Sequence, residues 1–276
     1  ARTAGVLGDD VLGSGFAFDM EVRLGAGAYI CGEETSLLES LEGKRGQVRF
    51  KPPLPAIKGL FGRPTVINNV LSLAAGPTIL AEGAAYYRNF GTGRSRGTLP
   101  IQLGGNVKRG GLIERAFGLS LREIVEDYGG GTLTGQPVHA VQVGGPLGAY
   151  WPTALFDTPL DYEAFAARGG MVGHGGVVVF DDTVDMAQQA RFAFEFCAIE
   201  SCGKCTPCRI GSTRGAETMD RVIAGDGEAM DLVRDLCGVM QDGSLCALGG
   251  LTHMPVLSAL DNFPNHFPGA ARDAAE

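Results

Sequence analysis

Apolar residues at helical spacing mark the C-terminal third of the chain. Steps of four, four and three residues separate Met186, Ala190, Phe194 and Cys197. Residues at these steps share one face of a helix. Gly and Asp separate three further apolar stretches, near 211–224, 227–240 and 250–261. The pattern predicts a small helical bundle in residues 182–276.

Shorter apolar runs bounded by glycines lie in the middle of the chain. They read TLPIQLGG, PVHAVQVGG and GGVVVF. Runs of this length and composition predict β-strands. Between the first two, Ser120 and Glu123 have the spacing of a capping box, which predicts the start of a helix. We expect residues 98–181 to form a small mixed sheet with one packed helix.

Residues 1–97 combine both patterns. The stretch from Phe18 to Leu24 predicts a short strand among glycine-rich turns. A helix should follow Glu34, where leucines recur at near-helical spacing, and a second should span about Asn69 to Glu82. This alternation indicates an α/β domain.

The composition is that of a globular protein with a substantial core. Of the 276 residues, 45% are hydrophobic and 20% are charged, and the formal net charge is -8. Phosphate binding needs clustered Lys and Arg, so we expect no nucleic-acid partner. No apolar run reaches the roughly 20 residues of a membrane span, and we expect no direct membrane insertion.

The N-terminal residues and the cysteine count bear on the compartment. The start, ARTAGVLGDDVLGSGF, has neither the charged nor the apolar segment of a signal peptide and no initiator Met. We expect it to be an internal point of a longer protein. Seven cysteines, an odd number, do not indicate a secreted disulfide framework. These features predict a cytoplasmic location.

Three closely spaced cysteines predict a metal centre. Cys202, Cys205 and Cys208 have the spacing C-x2-C-x2-C, and Cys246 follows far downstream. Three thiolates from one turn and a fourth from a distant segment form the donor set of a [4Fe–4S] cluster. We therefore predict these four residues as the cluster ligands.

Alternative interpretations of the cysteines are zinc, a redox disulfide and a different fourth ligand. Four-cysteine zinc sites normally pair two C-x2-C motifs, and redox disulfides use a single C-x-x-C. Cys237 is the alternative fourth ligand, although the turn around Cys246 is the better candidate. We interpret Cys31, Cys197 and Cys237 as buried small apolar residues.

A glycine-rich segment near residue 30 is a candidate ligand-binding site. After Gly25 and Gly27, Ile30 stands where the dinucleotide fingerprint G-x-G-x-x-G requires glycine. No G-x-x-x-x-G-K-[ST] sequence occurs, which disfavours a nucleoside triphosphatase. Paired carboxylates follow at Glu33 and Glu34, where they either contact a ligand or stabilise a helix N-terminus.

Four blocks of the sequence resemble one known family, in the family's order. They read GAGAYICGEETSLLESLEG, KPPLPAIKGLFGRPTVINNV, ESCGKCTPCRIGS and SLCALGG. The chain is similar over nearly its whole length to the flavin-bearing, NADH-oxidising subunit of respiratory complex I and to its soluble relatives. These relatives include the diaphorase subunits of NAD-reducing hydrogenases and of NAD-dependent formate dehydrogenases. The stretch EFCAIESCGKCTPCRIGSTRG looks most like the beta subunit of the molybdenum-containing formate dehydrogenases.

The resemblance implies three domains and three cofactors. The domains are an FMN- and NADH-binding α/β domain in 1–97, a ubiquitin-like β-grasp domain in 98–181 and a helical bundle with the cluster in 182–276. FMN then carries the hydride chemistry, so we expect no catalytic side chain. The implied FMN-lining residues are Gly32, Glu33, Asn68 and Asn69, the implied NADH-facing residues are Glu34 and Lys51, and Gly25 and Gly27 complete the predicted cofactor-binding set.

The implied function is hydride exchange between NAD(H) and FMN and single-electron exchange between FMN and the cluster. The implied assembly is an NAD-dependent formate dehydrogenase with a [2Fe–2S] subunit and a larger catalytic subunit. A complex I-type enzyme or an NAD-reducing hydrogenase is the alternative assembly. Alternatives of another class are a cluster-bearing electron-carrier or assembly module without flavin, and a zinc-stabilised β-grasp binding domain.

Two departures from the family pattern affect these expectations. Leu54 stands where the family has an aromatic residue near the nicotinamide cofactor, so we expect one stacking contact to be lost. The family's first glycine-rich flavin loop has no counterpart in this sequence. We therefore expect part of the flavin and NADH pocket to be missing from the chain.

Overall fold

The strands lie in the middle of the chain, and three of its longest helices follow them. The computed structural model describes residues 1–268. The helices are α1 (Glu34–Leu41), α2 (Val70–Glu82), α3 (Ala84–Arg88), α4 (Tyr162–Ala166), α5 (Met186–Glu200), α6 (Thr206–Ile223), α7 (Ala229–Gly243), α8 (Ala247–Gly250) and α9 (His253–Asn262). The strands are β1 (Gly91–Thr92), β2 (Ser95–Arg96), β3 (Thr98–Gly105), β4 (Gly111–Ala116), β5 (Val138–Val143), β6 (Tyr150–Pro152) and β7 (Gly176–Asp181). Within residues 1–268, no helix has the length and apolar character needed to cross a membrane.

Five strands form one mixed sheet in the order β4-β3-β7-β5-β6. β3 pairs antiparallel with β4 and parallel with β7, and β5 pairs antiparallel with both β7 and β6. The three runs predicted as strands are β3, β5 and β7, so that prediction is confirmed. The apolar pattern does not predict β4 and β6, which lie at the two edges of the sheet.

The predicted capping box between β4 and β5 is confirmed. The Glu123 N–H donates to Ser120 Oγ at 3.1 Å, and the Ser120 N–H donates to Glu123 Oε2 at 2.9 Å. The helical segment that follows, Glu123–Tyr128, is π-helical rather than α-helical. Its fully buried Ile124 and Val125 belong to the apolar core beside the sheet.

The helical bundle predicted for the C-terminal third consists mainly of α5, α6, α7 and α9. The apolar face predicted for α5 is fully buried, at Met186, Ala190, Phe194 and Cys197. α6 approaches α5 closely at Gly215, where an added Cβ would lie 2.3 Å from the Phe194 ring. Glycine at this position therefore lets the two helices pack without a clash.

α6 begins earlier than the apolar pattern predicts. The pattern places a helix from about residue 211, whereas α6 starts at Thr206, inside the three-cysteine motif. Pro207 occupies the first turn, where a helix does not need the N–H group that proline lacks. As a result, Cys208 is a helical residue and not part of a free loop.

The predicted strand from Phe18 to Leu24 is wrong. This stretch is irregular and exposed, and its one recorded pairing in the described chain is the single bridge between Gly8 and Phe18. Polar and apolar residues alternate here, but a strand also needs a neighbour to complete its backbone hydrogen bonds.

The buried apolar side chains form two clusters. One joins the sheet to the π-helical segment and includes Trp151, Phe156 and Phe165. The other fills the helical bundle and takes in Ile30 and Val48 from the first part of the chain. The glycine-rich segment is therefore anchored to the bundle by its own apolar side chains. The division into domains at 97/98 and 181/182 stays a prediction.

Candidate functional site

The four predicted cluster ligands lie on two segments of the helical bundle. Cys202 lies in the loop between α5 and α6, Cys205 directly precedes α6, and Cys208 lies in its first turn. Cys246 directly precedes α8. Cys202 and Cys208 are buried, whereas Cys205 and Cys246 are partly exposed, and none of the four forms a disulfide.

Close packing holds the Cys246 segment against the first turn of α6. A Cβ added to Gly249 would lie 2.7 Å from Cys208 Cβ, so only glycine fits at this contact. Burial raises the pKa of the Cys246 thiol to about 11, and the nearby Cys208 and Cys202 sulfurs contribute to the rise. The structure thus brings Cys246 next to the three-cysteine turn.

Cys237, the alternative fourth ligand, has different surroundings. It is fully buried on α7, and burial raises the pKa of its thiol to about 12. The charge that acts on it belongs to Arg234 and not to another cysteine. Cys197 is also fully buried, in line with its interpretation as a small apolar residue, but Cys31 is only partly buried, so that part of the interpretation is wrong.

Thiols from these two segments match the donor set of a [4Fe–4S] cluster. Contact with Cys197, together with burial, raises the pKa of the Cys208 thiol, so iron would bind it with release of a proton. Within residues 1–268, no three Cys, His, Asp or Glu side chains converge closely enough to hold one metal ion. The irons of a cubane occupy separate corners, so its ligands need not converge on one point. The residues present therefore fit the cluster.

A second group of charged side chains lies at the start of α1. The Lys51 ammonium lies 2.6 Å from Glu34 Oε1 and 3.1 Å from Glu33 Oε1. The backbone N–H groups of Thr35 and Ser36 donate to Glu33 Oε2 at 2.9 and 2.8 Å. Glu33 therefore caps the helix, which confirms that interpretation for Glu33, and contact of the paired carboxylates with a ligand stays a prediction.

Opposing effects set the pKa values of this charged group. Burial raises the pKa of Glu33, but hydrogen bonds from Thr35 and Ser36 and the charge of Lys51 outweigh it, so the pKa lies below its usual value. For Lys51, burial lowers the pKa, and the two carboxylates more than offset this effect. Glu33 and Lys51 therefore both stay charged at neutral pH.

The other predicted cofactor-binding residues are exposed. Asn69 Oδ1 accepts a hydrogen bond of 2.8 Å from the Leu71 N–H and so caps α2. In the described part of the chain, no hydrogen bond joins Asn68 or Asn69 to Lys51 or to the paired carboxylates. The exposed glycines of the predicted set are Gly25, Gly27 and Gly32.

Direct contacts join the first part of the chain to α5 and to the cysteine loop. The Tyr29 N–H donates to Glu200 Oε2 at 3.1 Å. The Tyr29 ring meets the Phe196 ring edge-on, with centroids 4.9 Å apart. Farther along the chain, Gln47 Nε2 donates to the Cys202 carbonyl at 3.1 Å. Tyr29 of the glycine-rich segment thus contacts the C-terminal half of α5, directly before the loop predicted to bind the cluster, and Gln47 contacts the loop itself.

A cavity of about 370 Å³ lies where these segments meet. Its walls come from residues 29–33, the 144–147 loop and residues 247–251, together with Met171 and His174. The size falls within the range of small-molecule sites, about 300–1,000 Å³. The capping carboxylate of α1 and the turn after the fourth cysteine therefore share one space.

Comparison with known proteins finds a family that matches the C-terminal part of the chain. Residues 188–269 match the family described as the NADH-ubiquinone oxidoreductase-F iron–sulfur binding region. This region includes all four predicted ligands. The matched region is thus similar to the cluster-binding part of F-type NADH oxidoreductase subunits.

Two relatives align with almost the whole chain. A subunit of an NADP-reducing hydrogenase from Solidesulfovibrio fructosivorans is 44% identical over 275 residues, which cover 99% of this chain and 56% of the relative. An F-type subunit of NADH-quinone oxidoreductase from Rhizobium meliloti is 46% identical over 269 residues, which cover 97% of this chain and 64% of the relative. The chain thus spans less than two thirds of the length of either relative.

Two solved structures show the same fold. The crystal structure of an NAD+-reducing [NiFe]-hydrogenase in the H2-reduced state matches with a TM-score of 0.82 and 36% identity, covering 91% of this chain and 43% of that chain. The air-oxidized state matches with a TM-score of 0.81 and 36% identity, covering 90% of this chain and 43% of that chain. The chain therefore shares its fold with part of that hydrogenase chain.

Sequence reasoning missed part of the site. The 144–147 loop lines the cavity, and its one available signal was the glycine pair Gly144-Gly145, since paired glycines mark close backbone approaches. The sequence indicates only that Cys197 is buried, yet its Sγ lies 3.8 Å from Cys208 Sγ. That contact depends on the packing of α5 against α6, which the local pattern does not reveal.

Proposed function

We propose that the chain is a diaphorase-type redox subunit, which exchanges a hydride between NAD(H) and FMN and single electrons between FMN and a [4Fe–4S] cluster. The cofactors supply the redox chemistry, and the protein binds and orients them. The observation that carries the proposal is the shared cavity. There the glycine-rich segment and the segment after Cys246 line the same space.

We assign the cluster ligands as Cys202, Cys205, Cys208 and Cys246. The close approach of Gly249 to Cys208 supports the assignment of Cys246 as the fourth ligand, because it packs the segment after Cys246 against the three-cysteine turn. Burial of two of the four thiols would shield the cluster from water.

Lys51 and Glu34 are our candidates for contact with the nicotinamide nucleotide. Their side chains are 35% and 39% exposed, so a ligand can reach them, whereas Glu33 is only 15% exposed and is held by α1. The Lys51 ammonium offers charge to a phosphate, and the Glu34 carboxylate can accept hydrogen bonds from hydroxyl groups. Leu54 is 53% exposed beside this segment and lacks the ring that stacking requires.

The fold supports a finer domain assignment. The sheet has its first and last strands, β3 and β7, paired in parallel at the centre, and a hairpin partner at each edge. A helical segment crosses between the two hairpins. This arrangement is that of a ubiquitin-like β-grasp domain, which we assign to residues 98–181, between a flavin-binding part in 1–97 and the cluster-bearing bundle from 182.

The proposed assembly is an NAD-dependent formate dehydrogenase with a [2Fe–2S] subunit and a larger catalytic subunit. The support is the stretch EFCAIESCGKCTPCRIGSTRG around the cysteine motif, which looks most like the beta subunit of those dehydrogenases. The names of the relatives support a hydrogenase or a quinone-reducing enzyme as alternatives. Isolating the native complex and assaying NAD reduction with formate, and then with hydrogen, distinguishes these assemblies. Turnover with hydrogen but not with formate would overturn the first choice.

The central test is a spectrum of the purified chain. The chain is prepared anaerobically, incubated with FMN, iron and sulfide, and then titrated with NADH or with NADPH. We expect a flavin absorption band that is bleached by one of the two nucleotides, NADH or NADPH. We also expect iron in the preparation and an EPR signal from the reduced cluster. A colourless protein, or one that holds zinc in place of iron, contradicts the proposal.

The cluster ligands are tested by a matched pair of substitutions. Cys246→Ala should lower the iron content and abolish the EPR signal, because it removes a thiolate from the donor set. Cys237→Ala removes a fully buried thiol outside the proposed ligand set, and it should keep both the iron and the EPR signal. Loss of iron from the Cys237 variant alone would reverse the assignment.

A cluster-bearing electron carrier without flavin is the second candidate function. It is favoured by the exposure of Gly25, Gly27, Asn68 and Asn69, which do not form one closed flavin pocket in the described chain. In the same titration, this candidate gives an iron-loaded protein that retains no FMN. Retention of FMN after gel filtration, with bleaching by NADH, excludes it.

A further inference from the structure

Cys197 lies behind one of the proposed cluster ligands. It is fully buried on α5, and its Sγ lies 3.8 Å from Cys208 Sγ and 3.5 Å from the Leu248 carbonyl oxygen. Leu248 belongs to α8, which follows the other ligand segment. One thiol outside the proposed ligand set therefore contacts both ligand-bearing segments.

The direction of the sulfur–sulfur contact follows from the state of Cys208. A thiolate bound to iron has no proton and can only accept a hydrogen bond. The Cys197 S–H is then the donor, and it has two acceptors, the Cys208 sulfur and the Leu248 carbonyl. The charged sulfur is the stronger acceptor, because hydrogen bonds to ionised groups are stronger than those between neutral groups.

Side chains outside the ligand set lie close enough to the Cys208 sulfur to donate hydrogen bonds to it. The Ser201 hydroxyl lies 3.4 Å from Cys208 Sγ. Ser201 Oγ also accepts a hydrogen bond from the Gly203 N–H, which orients the hydroxyl. Cys208 thus has two side-chain donors within reach, one in its own loop and one on a neighbouring helix.

We propose that Cys197 is a positioning residue that donates an S–H hydrogen bond to the Cys208 sulfur and so raises the reduction potential of the cluster. The proposal rests on the ligand set assigned above. Hydrogen bonds to cluster sulfurs are one of the factors that set cluster potentials. A cluster gains negative charge on reduction, and a nearby donor stabilises that charge more in the reduced state than in the oxidised state.

The test measures the midpoint potential of the cluster by EPR-monitored redox titration of the iron-loaded chain. Cys197→Ala removes the donor and should shift the midpoint to a more negative potential while the iron content stays unchanged. Cys197→Ser keeps a donor and should hold the midpoint at or above the wild-type value. Cys237→Ala is the matched control, because it deletes an equally buried thiol without touching a ligand, and it should cause no shift.

An unchanged midpoint in the iron-loaded Cys197→Ala protein overturns the proposal. If the alanine variant does not retain iron, the serine variant decides, and a midpoint below that of the wild type then overturns it. Failure of the proposed function gives a different result, since the wild-type chain itself would then contain no iron.

Discussion

At the scale of single residues, Glu33 uses its two carboxylate oxygens for different partners. Oε2 accepts the N–H groups that begin α1, and Oε1 lies 3.1 Å from Lys51 Nζ. Glu34, next in the chain, contacts the same ammonium but caps no helix. The adjacent carboxylates therefore differ in structural role although the sequence presents them as a pair.

This difference predicts unequal effects on stability. Glu33→Ala should lower the free energy of unfolding by about 1 kcal/mol, the usual cost of losing a helix cap. Glu34→Ala removes only an exposed ion pair, and such pairs contribute about 0–1 kcal/mol. Urea denaturation at neutral pH measures both. Equal losses in the two variants would show that the cap is not what Glu33 contributes.

The stabilisation by Glu33 should also depend on pH. Its pKa is lower in the folded chain than the ordinary value of 4.5, so the unfolded chain binds the proton first as the pH falls. The stability difference between wild type and Glu33→Gln should therefore be full at neutral pH and shrink as the pH drops below 4.5. Denaturation curves at a series of pH values test this sign, and a difference that grows on acidification contradicts it.

The residues of the site differed in how far the sequence could predict them. The three-cysteine turn was readable because its spacing is local. The paired carboxylates were readable from the sequence, whereas Lys51 came from a family resemblance, and the structure brings the three side chains together. The contact of Cys197 with Cys208 was not readable, because it depends on how two helices pack.

At the scale of elements, α5 and α6 approach closely because residue 215 is glycine and has no side chain. A Cβ at Gly215 would lie 2.3 Å from the Phe194 ring, and Phe194 is fully buried. Because the ring is fully buried, it cannot move aside into solvent. The first turn of α6, which carries Cys208, is therefore held by a helix whose position depends on this glycine.

Gly215→Ala should therefore destabilise the chain by about 1–3 kcal/mol, as overpacking of a core does. The matched control is Gly238→Ala on α7, where an added Cβ meets nothing within 4 Å. That change should stabilise the chain by about 0.5–1 kcal/mol, because alanine is the better helix former. Thermal unfolding of both variants checks the opposite signs, and stabilisation by Gly215→Ala would contradict the packing argument.

Burial explains which elements the sequence could predict. β3, β5 and β7 are the inner strands. β5 and β7 are largely covered on both faces, whereas β3 carries its buried apolar residues on one face. β4 reads GLIERA and is largely exposed at an edge, so it lacks that signal. The run from Phe18 to Leu24 has the alternation of a strand without a partner. A strand forms only where two segments pair, and the pattern of one segment does not show whether it has a partner.

At the scale of the whole molecule, the proposed ligands tie together segments that are distant in the chain. Cys202, Cys205 and Cys208 precede or begin α6, and Cys246 follows α7. A cluster bound only by the folded chain stabilises that chain by mass action. The cluster should therefore contribute to the stability of the bundle as well as to its chemistry.

Removal of the cluster by anaerobic chelation should accordingly lower the Tm. For a chain of this size, each kcal/mol of stabilisation corresponds to roughly 2–4 °C. Calorimetry of loaded and chelated samples measures the shift. The shift should persist in Cys237→Ala and vanish in Cys246→Ala, which is expected to hold no cluster. An equal Tm before and after chelation of the wild-type chain contradicts the prediction.

The sequence pattern predicts three regions in order along the chain. It does not show that side chains of the first region pack into the core of the last. Ile30 and Val48, from the first region, are buried in the apolar core of the helical bundle. Neither residue stands out in its own segment, since short apolar runs are common in α/β chains. Their partners could be identified only once the chain was folded.

The 144–147 loop, which leaves the end of β5, has a practical consequence for anyone who shortens this protein. It supplies one wall of the space beside Glu33, although it contributes no proposed ligand. A fragment cut down to the glycine-rich segment and the cysteine-bearing segments would therefore keep all the proposed cluster ligands. The cavity would then lose the wall that this loop supplies, so a truncation designed from the ligand residues alone would change the binding space beside Glu33.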